Sequence, residues 1–439
     1  MILTETEAKA ILEKVIRYST ADETAAVLTG GSGALSRFAN NAITHNVDQR
    51  NIALNVNIAT GKKEGSSTTN KFDDESLKGA VKRAESIAKL LPDNPEHMPP
   101  LPPQKYRKIE AYFPETAEFG PMDRAKEILK VIQTCDQKRL ITAGTFSNGD
   151  GFMSIANSEG LFGYHKSTSC GFSVSVRTQD RTGSGRAQQS NERRIGELNP
   201  SQLAAEAIRT AEMSHNPHPK EPGDYTVIIT PTALMELFFY ILFGFDARSA
   251  DEGRSFLSDR KTGGNKLGQK VFGENITIRS AAAHPKLLGT PFGGDGLPAR
   301  DITWVERGVV KNLIYSRYWA AKKSKEPTAF VMNFLMEGNN YTIEELIKDT
   351  EKGILVSSFW YIRMVDPNNL LCTGLTRDGT FWVENGKIQY PINNFRFNES
   401  PVVLLNNIEK MTKPQKVGFG IMPGVKAHNF TFSSVSEAV

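Results

Sequence analysis

Apolar and polar residues alternate with period two over Leu54, Val56 and Ile58, and again over Phe172, Val174 and Val176, the pattern of strands buried on one face. A longer similarity surrounds each run. The segment starting at Ala39, ANNAITHNVDQRNIALNVNIATG, and the one starting at Ala156, ANSEGLFGYHKSTSCGFSVSVRTQD, both read as strand, turn, alternating strand, Gly-rich turn, strand, polar loop and alanine-containing helix. Ala80, Val81 and Ala84 of the first helix match Ala207, Ile208 and Ala211 of the second. Each copy is preceded by a helix with apolar residues at i, i+3, i+4 spacing, Glu5 to Tyr18 and Arg124 to Thr134. The N-terminal half is therefore read as a structural duplication.

Eight prolines between Leu91 and Asp123 forbid a long helix or a central strand and predict an extended connector. A second joint, SHNPHPKEPGDY at 214–225, precedes a strand, YTVIIT, and then an apolar helix with Thr230 as N-cap and Pro231 in its first position. That helix runs through the greasy stretch Leu237 to Phe245 into a tract of charges, Ser and Gly. Beyond it the pattern is mostly β. ITWVERGVVKNLIYS turns at Arg307-Gly308, and GTFWVENGKIQYPI turns at Asn385-Gly386, a type I′ signal. YTIEELIKDTEKG reads as an amphipathic helix closed by Gly353. The expected fold is α+β and multidomain: an N-terminal α+β unit (1–95), a Pro-rich connector (96–122), a central α+β unit repeating the first (123–220), and a mainly antiparallel β C-terminal domain (221–439).

A chain of 439 residues, 39% apolar and 23% charged, has ample material for several cores. Its net charge of +4 is spread without a run of like charges, which argues against nucleic acid. Cys135, Cys170 and Cys372 are far apart and form no CxxC pair, so neither a disulfide framework nor a zinc knuckle is indicated and a reducing cytoplasm is expected. The N-terminus carries glutamates where a secretory signal needs positive charge, and the apolar run is far short of the ~20 residues that span a bilayer. Neither export nor a membrane span is expected.

Familiar catalytic signatures fail on spacing. GGSGA at 30–34 lacks the last Gly of a nucleophile elbow, and GGDGLP at 293–298 lacks the third Gly of a dinucleotide loop. His215 and His218 sit in the second joint without a third ligand nearby, and His284 stands alone at a loop edge. RTGSGR reads as a hairpin turn.

One ordered series is more informative. DEGRSFLSDRKTGGNKLGQKVFGENITI, then GGDGLPARDITWVERGVVKNLIYS, then NNYTIEELIKDTEKGILV and the GTFWVENGKIQYPI hairpin together resemble the TldD/PmbA family, also called modulators of DNA gyrase. The similarity covers essentially the whole chain and is strongest from about residue 225. In that family the TldD branch carries a HExxxH motif on a helix, completed by a cysteine near the C-terminus, and acts as a metallopeptidase on extended peptides. The PmbA/TldE branch lacks those ligands. Lining up Gly253-Arg254-Ser255 with the small-residue tract after the TldD motif places Phe238 and Phe239 at its first His and its Glu, and Phe243 at its second His. The C-terminal tail VGFGIMPGVKAHNF has no cysteine.

A hydrolytic zinc site needs about three protein ligands, an open position for water and a general base; phenylalanine supplies none. Histidines five apart lie about 140° apart on a regular helix, so the motif requires a widened turn that this chain does not need. The resemblance thus implies a PmbA/TldE-like subunit with no metal of its own, a zinc-bearing TldD-like partner, a peptide substrate and twofold association. Phe238, Phe239, Tyr240 and Phe243 read first as core packing, and alternatively as a substrate or partner surface. Asp251, Arg254, Ser255 and Asn265 read as a solvated loop or as contacts to peptide or partner. Two rivals remain: an active zinc peptidase with unidentified ligands among the seven histidines, and a regulator that binds DNA gyrase directly.

Overall fold

The computed structural model describes residues 2–329 and 332–436. Its first half is built from α1 (Glu5–Tyr18), β1 (Glu23–Ala39), β2 (Ala42–Thr60), β3 (Lys63–Thr69), α2 (Asp74–Leu90), α3 (Pro114–Ala117), α4 (Pro121–Gln137), β4 (Ile141–Asn157), β5 (Phe162–Arg177), β6 (Ser184–Glu192) and α5 (Pro200–Met213). The order helix, three strands, helix thus occurs twice, as the duplication predicts. Thr4 and Glu7 cap α1 reciprocally, fixing its start. Two prolines inside the expected connector prove compatible with helix. Pro114 and Pro121 stand at the first position of α3 and α4, where no N–H is needed, so α4 begins three residues before the sequence reading placed it.

The two units do not form separate sheets. Their strands join in one antiparallel six-stranded sheet, β3-β2-β1-β4-β5-β6, through a long β1–β4 seam running from Ala25↔Asn157 to Phe38↔Gly144. The approach at the seam is close: a Cβ on Gly31 would lie 2.1 Å from the Asp150 carbonyl, and one on Gly149 2.3 Å from that of Ser32. Ala26, Leu28, Leu54 and Val56 pack under the first unit's helices, and Phe38, Phe146, Phe172 and Val174 under α4 and α5.

The second half comprises β7 (Gly223–Ile229), α6 (Pro231–Phe243), α7 (Ala247–Asp251), β8 (Ile278–Ser280), β9 (Ile302–Glu306), β10 (Val309–Val310), α8 (Arg317–Lys322), β11 (Phe334–Met336), α9 (Ile343–Lys348), β12 (Lys352–Asp366), β13 (Leu371–Glu384), β14 (Lys387–Pro391), β15 (Phe395–Glu399), α10 (Pro401–Asn406), β16 (Ile408–Met411), β17 (Gln415–Val417), β18 (Gly420–Met422) and β19 (Val425–Val435). Strands β12, β7, β19, β15 and β13 close into a ring through the added β12–β13 pairing, which removes two sheet edges. Phe359, Phe395, Phe397, Phe430 and Phe432 are all buried in its core. The second sheet, β10-β9-β8-β11-β18-β17, contains the Arg307-Gly308 hairpin. Both expected hairpins have positive φ at both turn residues, 47° and 80° at Arg307-Gly308 and 50° and 73° at Asn385-Gly386. Gly353 does not close α9. The helix stops at Lys348, and Gly353 is already in β12, where a Cβ would lie 2.8 Å from the Thr226 carbonyl.

The connector spans both halves. Glu96 pairs with Arg248, Tyr106 Oη donates to the Gly296 carbonyl at 2.8 Å, and Arg107 meets Asp301.

Candidate functional site

Helix α6 follows from local sequence. Thr230 Oγ1 accepts from the Ala233 amide, Pro231 presets the first turn, and the run Ala233-Leu234-Met235 continues into aromatics. It lies between β12 of the ring and the second sheet, burying Leu234, Leu237, Phe238, Ile241 and Leu242. At about 1.5–3 kcal/mol per buried side chain, this burial outweighs the weak helix propensity of its aromatics. The helix ends at Gly244, where a Cβ would stand 2.0 Å from the Phe256 ring.

The three phenylalanines therefore part company. Phe238 is 0% exposed and meets Phe334 edge-on at 5.8 Å. Phe239 and Phe243 are 36% and 55% exposed and pack edge-to-face on each other at 5.1 Å, with Phe419 beside Phe239. Tyr240 Oη donates to the Ile362 carbonyl at 2.6 Å, tying to the helix a segment of β12 that exposes Trp360, Tyr361 and Val365. Phe239 and Phe243 thus leave an aromatic pair on the outer side of the helix.

The polar tract is mostly committed to holding itself. The Asp251 side chain accepts from Asn265 Nδ2 at 2.6 Å and Trp319 Nε1 at 2.8 Å, and Lys323 lies 3.3 Å away. Ser255 is buried: its hydroxyl donates to the Gly244 carbonyl at 2.7 Å and accepts from the Leu257 amide. Arg254 is exposed and pairs with Glu252 at 2.5 Å. Of the seven residues grouped by sequence, Phe238 and Ser255 are inside, and Asp251 and Asn265 are half-buried against each other. Phe239, Phe243 and Arg254 reach the surface.

One residue of this helix escaped the sequence reading. Glu236 is the only charged residue of α6, and its isolation in LMELFF was the available signal. Its carboxylate accepts from the Phe359 amide at 2.6 Å and from Ser358 Oγ at 3.3 Å, filling the bulge between Val356 and Ser358 in β12. Burial pushes its pKa up from 4.5 to about 7, against the Phe359 bond and Arg186. Ser358 and Arg186 line a cleft of about 550 Å³ between the two halves, together with Arg209, Thr232 and Lys416.

A carboxyl whose folded pKa is raised stabilises the fold while protonated, and that contribution disappears as pH rises through about 7. Glu236→Gln keeps the bulge bonds without the charge. It is expected to remove a stability loss on the order of 2 kcal/mol between about pH 5 and about pH 8, read from paired melting curves. An unchanged pH dependence would assign the loss to other groups.

Among the described residues no three His, Cys, Asp or Glu side chains are grouped to hold a metal ion. The rings at 238, 239 and 243 offer no lone pairs, so those positions do not fit a metal.

Family models of three successive metallopeptidase domains match this arrangement: the PmbA/TldA metallopeptidase domain 1 over residues 25–88, the central domain over 107–214 and the C-terminal domain over 222–434. The chain belongs to the PmbA/TldD family. Metalloprotease PmbA of Escherichia coli O157:H7 is 22% identical over 382 residues, covering 82% of this chain and 79% of that one. The uncharacterized protein MJ0231 of Methanocaldococcus jannaschii is 24% identical over 283 residues, 63% of this chain and 62% of its own length. TldE from Thermococcus kodakarensis superposes with a TM-score of 0.87 over 97% of this chain and 99% of that one; at 19% identity the likeness is one of fold.

Proposed function

We propose that the chain is a PmbA/TldE-like subunit of a TldD-type metalloprotease acting on unfolded or extended peptides, and that it has no metal site of its own. What supports this reading is that phenyl rings stand on a regular helix at 238, 239 and 243, the positions that the resemblance aligns with the metal-binding motif of the TldD branch. Zinc and the activated water belong to the TldD-like partner. This chain supplies walls and strand edges that hold an extended peptide by main-chain hydrogen bonds. Phe239 and Phe243 form a surface that meets the partner, where a desolvated aromatic pair is an effective anchor, and exposed Arg254 is a further contact. Phe238 anchors the helix from its buried side, and Ser255 holds its end at Gly244.

The purified chain, mixed with zinc and an unfolded peptide, is expected to show no chelator-sensitive hydrolysis. Activity should appear on adding a TldD-type subunit. Robust hydrolysis by the chain alone, abolished by chelation, would replace this reading with that of an independent peptidase.

A further inference from the structure

Strand β6 ends the six-stranded sheet, and its inner edge pairs with β5 without a break in register from Ser184↔Arg177 to Gln189↔Phe172. No strand pairs with its outer edge among the described residues. That edge faces the cleft of about 550 Å³ between the two halves, because Arg186, Ala187, Gln188 and Gln189 all line it. Successive strand residues point to opposite faces, so four in a row border one space only along the strand's edge. An unpaired edge displays main-chain donors and acceptors ready for another strand.

The cleft has two unlike walls. Gln188, Gln189 and Gln202 bring amides that both donate and accept, whereas Ile343, Ile347, Leu355 and Ile388 of the C-terminal domain are apolar. Three cations also line it, and two are already matched. Lys416 pairs with Glu192 at 2.5 Å, and Arg209 acts on the carboxyl of Glu206, one turn away on α5. Arg186 is half-buried and forms no ion pair among the described residues; its Nη2 donates to the neutral amide of Gln188 at 2.8 Å. Glu236 feels its charge but is bonded into the β12 bulge, and Glu344 is exposed at the start of α9. A guanidinium so placed offers a planar fork of donors that matches a carboxylate.

We infer that the cleft takes an extended peptide, added as a strand along the outer edge of β6, with a carboxylate of that peptide on Arg186. Each part of the lining then has a use. The main chain of the peptide meets the β6 edge, its side chains divide between the Gln wall and the Ile wall, and its carboxylate supplies the charge that Arg186 lacks. A small inorganic anion would satisfy Arg186 alone and leave both walls idle. The volume suits a few residues of extended chain rather than a folded domain. The carboxylate is that of the chain end or of an acidic side chain, and binding distinguishes the two.

The inference rests on the reading of this chain as a peptide-handling subunit, but it is tested by binding to the full chain alone under chelation, so its failure and that of the hydrolysis test are distinct. Calorimetric titration uses an N-acetylated, unstructured peptide without acidic residues in three forms: a free acid, a C-terminal amide, and an amide with one internal aspartate added. The free acid or the aspartate form should bind roughly tenfold or more tightly than the plain amide, and the tighter one names the source of the carboxylate. Arg186→Gln should abolish that difference while leaving the affinity of the plain amide unchanged. Arg186→Lys, which keeps the charge without the fork, should retain part of it, and Arg209→Gln should preserve it. Bound peptide should also slow hydrogen exchange at outward-facing amides between Arg186 and Gln189, a readout that needs no variant. Equal affinity for the three forms, a preference that survives Arg186→Gln, absence of binding, or protection absent from β6 overturns the inference.

Discussion

Arg124→Ala is expected to destabilise the N-terminal half by about 3–5 kcal/mol. The side chain is 1% exposed and lies between the sheet and α4. Its Nε donates to Ser36 Oγ at 2.8 Å, Nη1 to Asn148 Oδ1 at 2.8 Å and to the Phe119 carbonyl at 3.1 Å, and Nη2 to Asn46 Oδ1 at 3.0 Å. These bonds join β1, β2, β4 and the entry to α4, so one guanidinium ties both units to a single helix. Burial lowers its pKa, while Asp48 and Asp123 favour the charged form. Truncation removes a buried charge, which is favourable. It also leaves a cavity and strips charge-assisted bonds from buried Ser36 and Asn148, and the second effect is the larger when several acceptors lose a donor at once. Hydrogen exchange over β1, β2 and β4 measures the change, and a loss below about 1 kcal/mol would show that the network relaxes around the gap.

The second large effect separates three residues that look alike in the sequence. Phe238→Ala should cost about 3–5 kcal/mol through lost burial and an unfilled cavity beside Phe334. Phe239→Ala and Phe243→Ala, each on an exposed ring, should cost under about 1 kcal/mol. Their effect should appear instead in association with a TldD-type subunit, weakened roughly tenfold or more for either change. Denaturation and titration measured on the same three variants give a crossed pattern if the helix has one core face and one partner face. Equal behaviour of the three in both assays would remove the partner surface assigned to Phe239 and Phe243.

That distinction marks what the sequence could and could not convey. A start signal was legible where a cap is local, at Thr230-Pro231 for α6, whereas the reciprocal Thr4–Glu7 cap of α1 was passed over. Hairpin turns were legible because positive φ restricts residue choice. Periodicity exposed the duplicated units but not their fusion into one sheet, since the β1–β4 register joins residues more than a hundred positions apart. Gly353 misled because glycine serves both as a helix stop and as a strand residue pressed against a neighbour's backbone. On α6 an unbroken apolar run gives no phase, so the division into buried Phe238 and exposed Phe239 and Phe243 had to come from the packing of β12 and the second sheet. Glu236 showed only as one charge among hydrophobes, and the bulge that it fills belongs to a strand far along the chain.

The β1–β4 seam has a further consequence. Matching Ala39 with Ala156 makes the two strands equivalents, and their antiparallel ladder relates the two units by a local dyad. The contact has the geometry of a twofold interface between two like modules, borne on a single polypeptide. Tethering replaces a second-order encounter by a first-order closure, with a local concentration in the millimolar range that dilution cannot lower. The proline-rich span between the modules acts as that tether, so the β1 and β4 edges meet without either having to find its mate in solution.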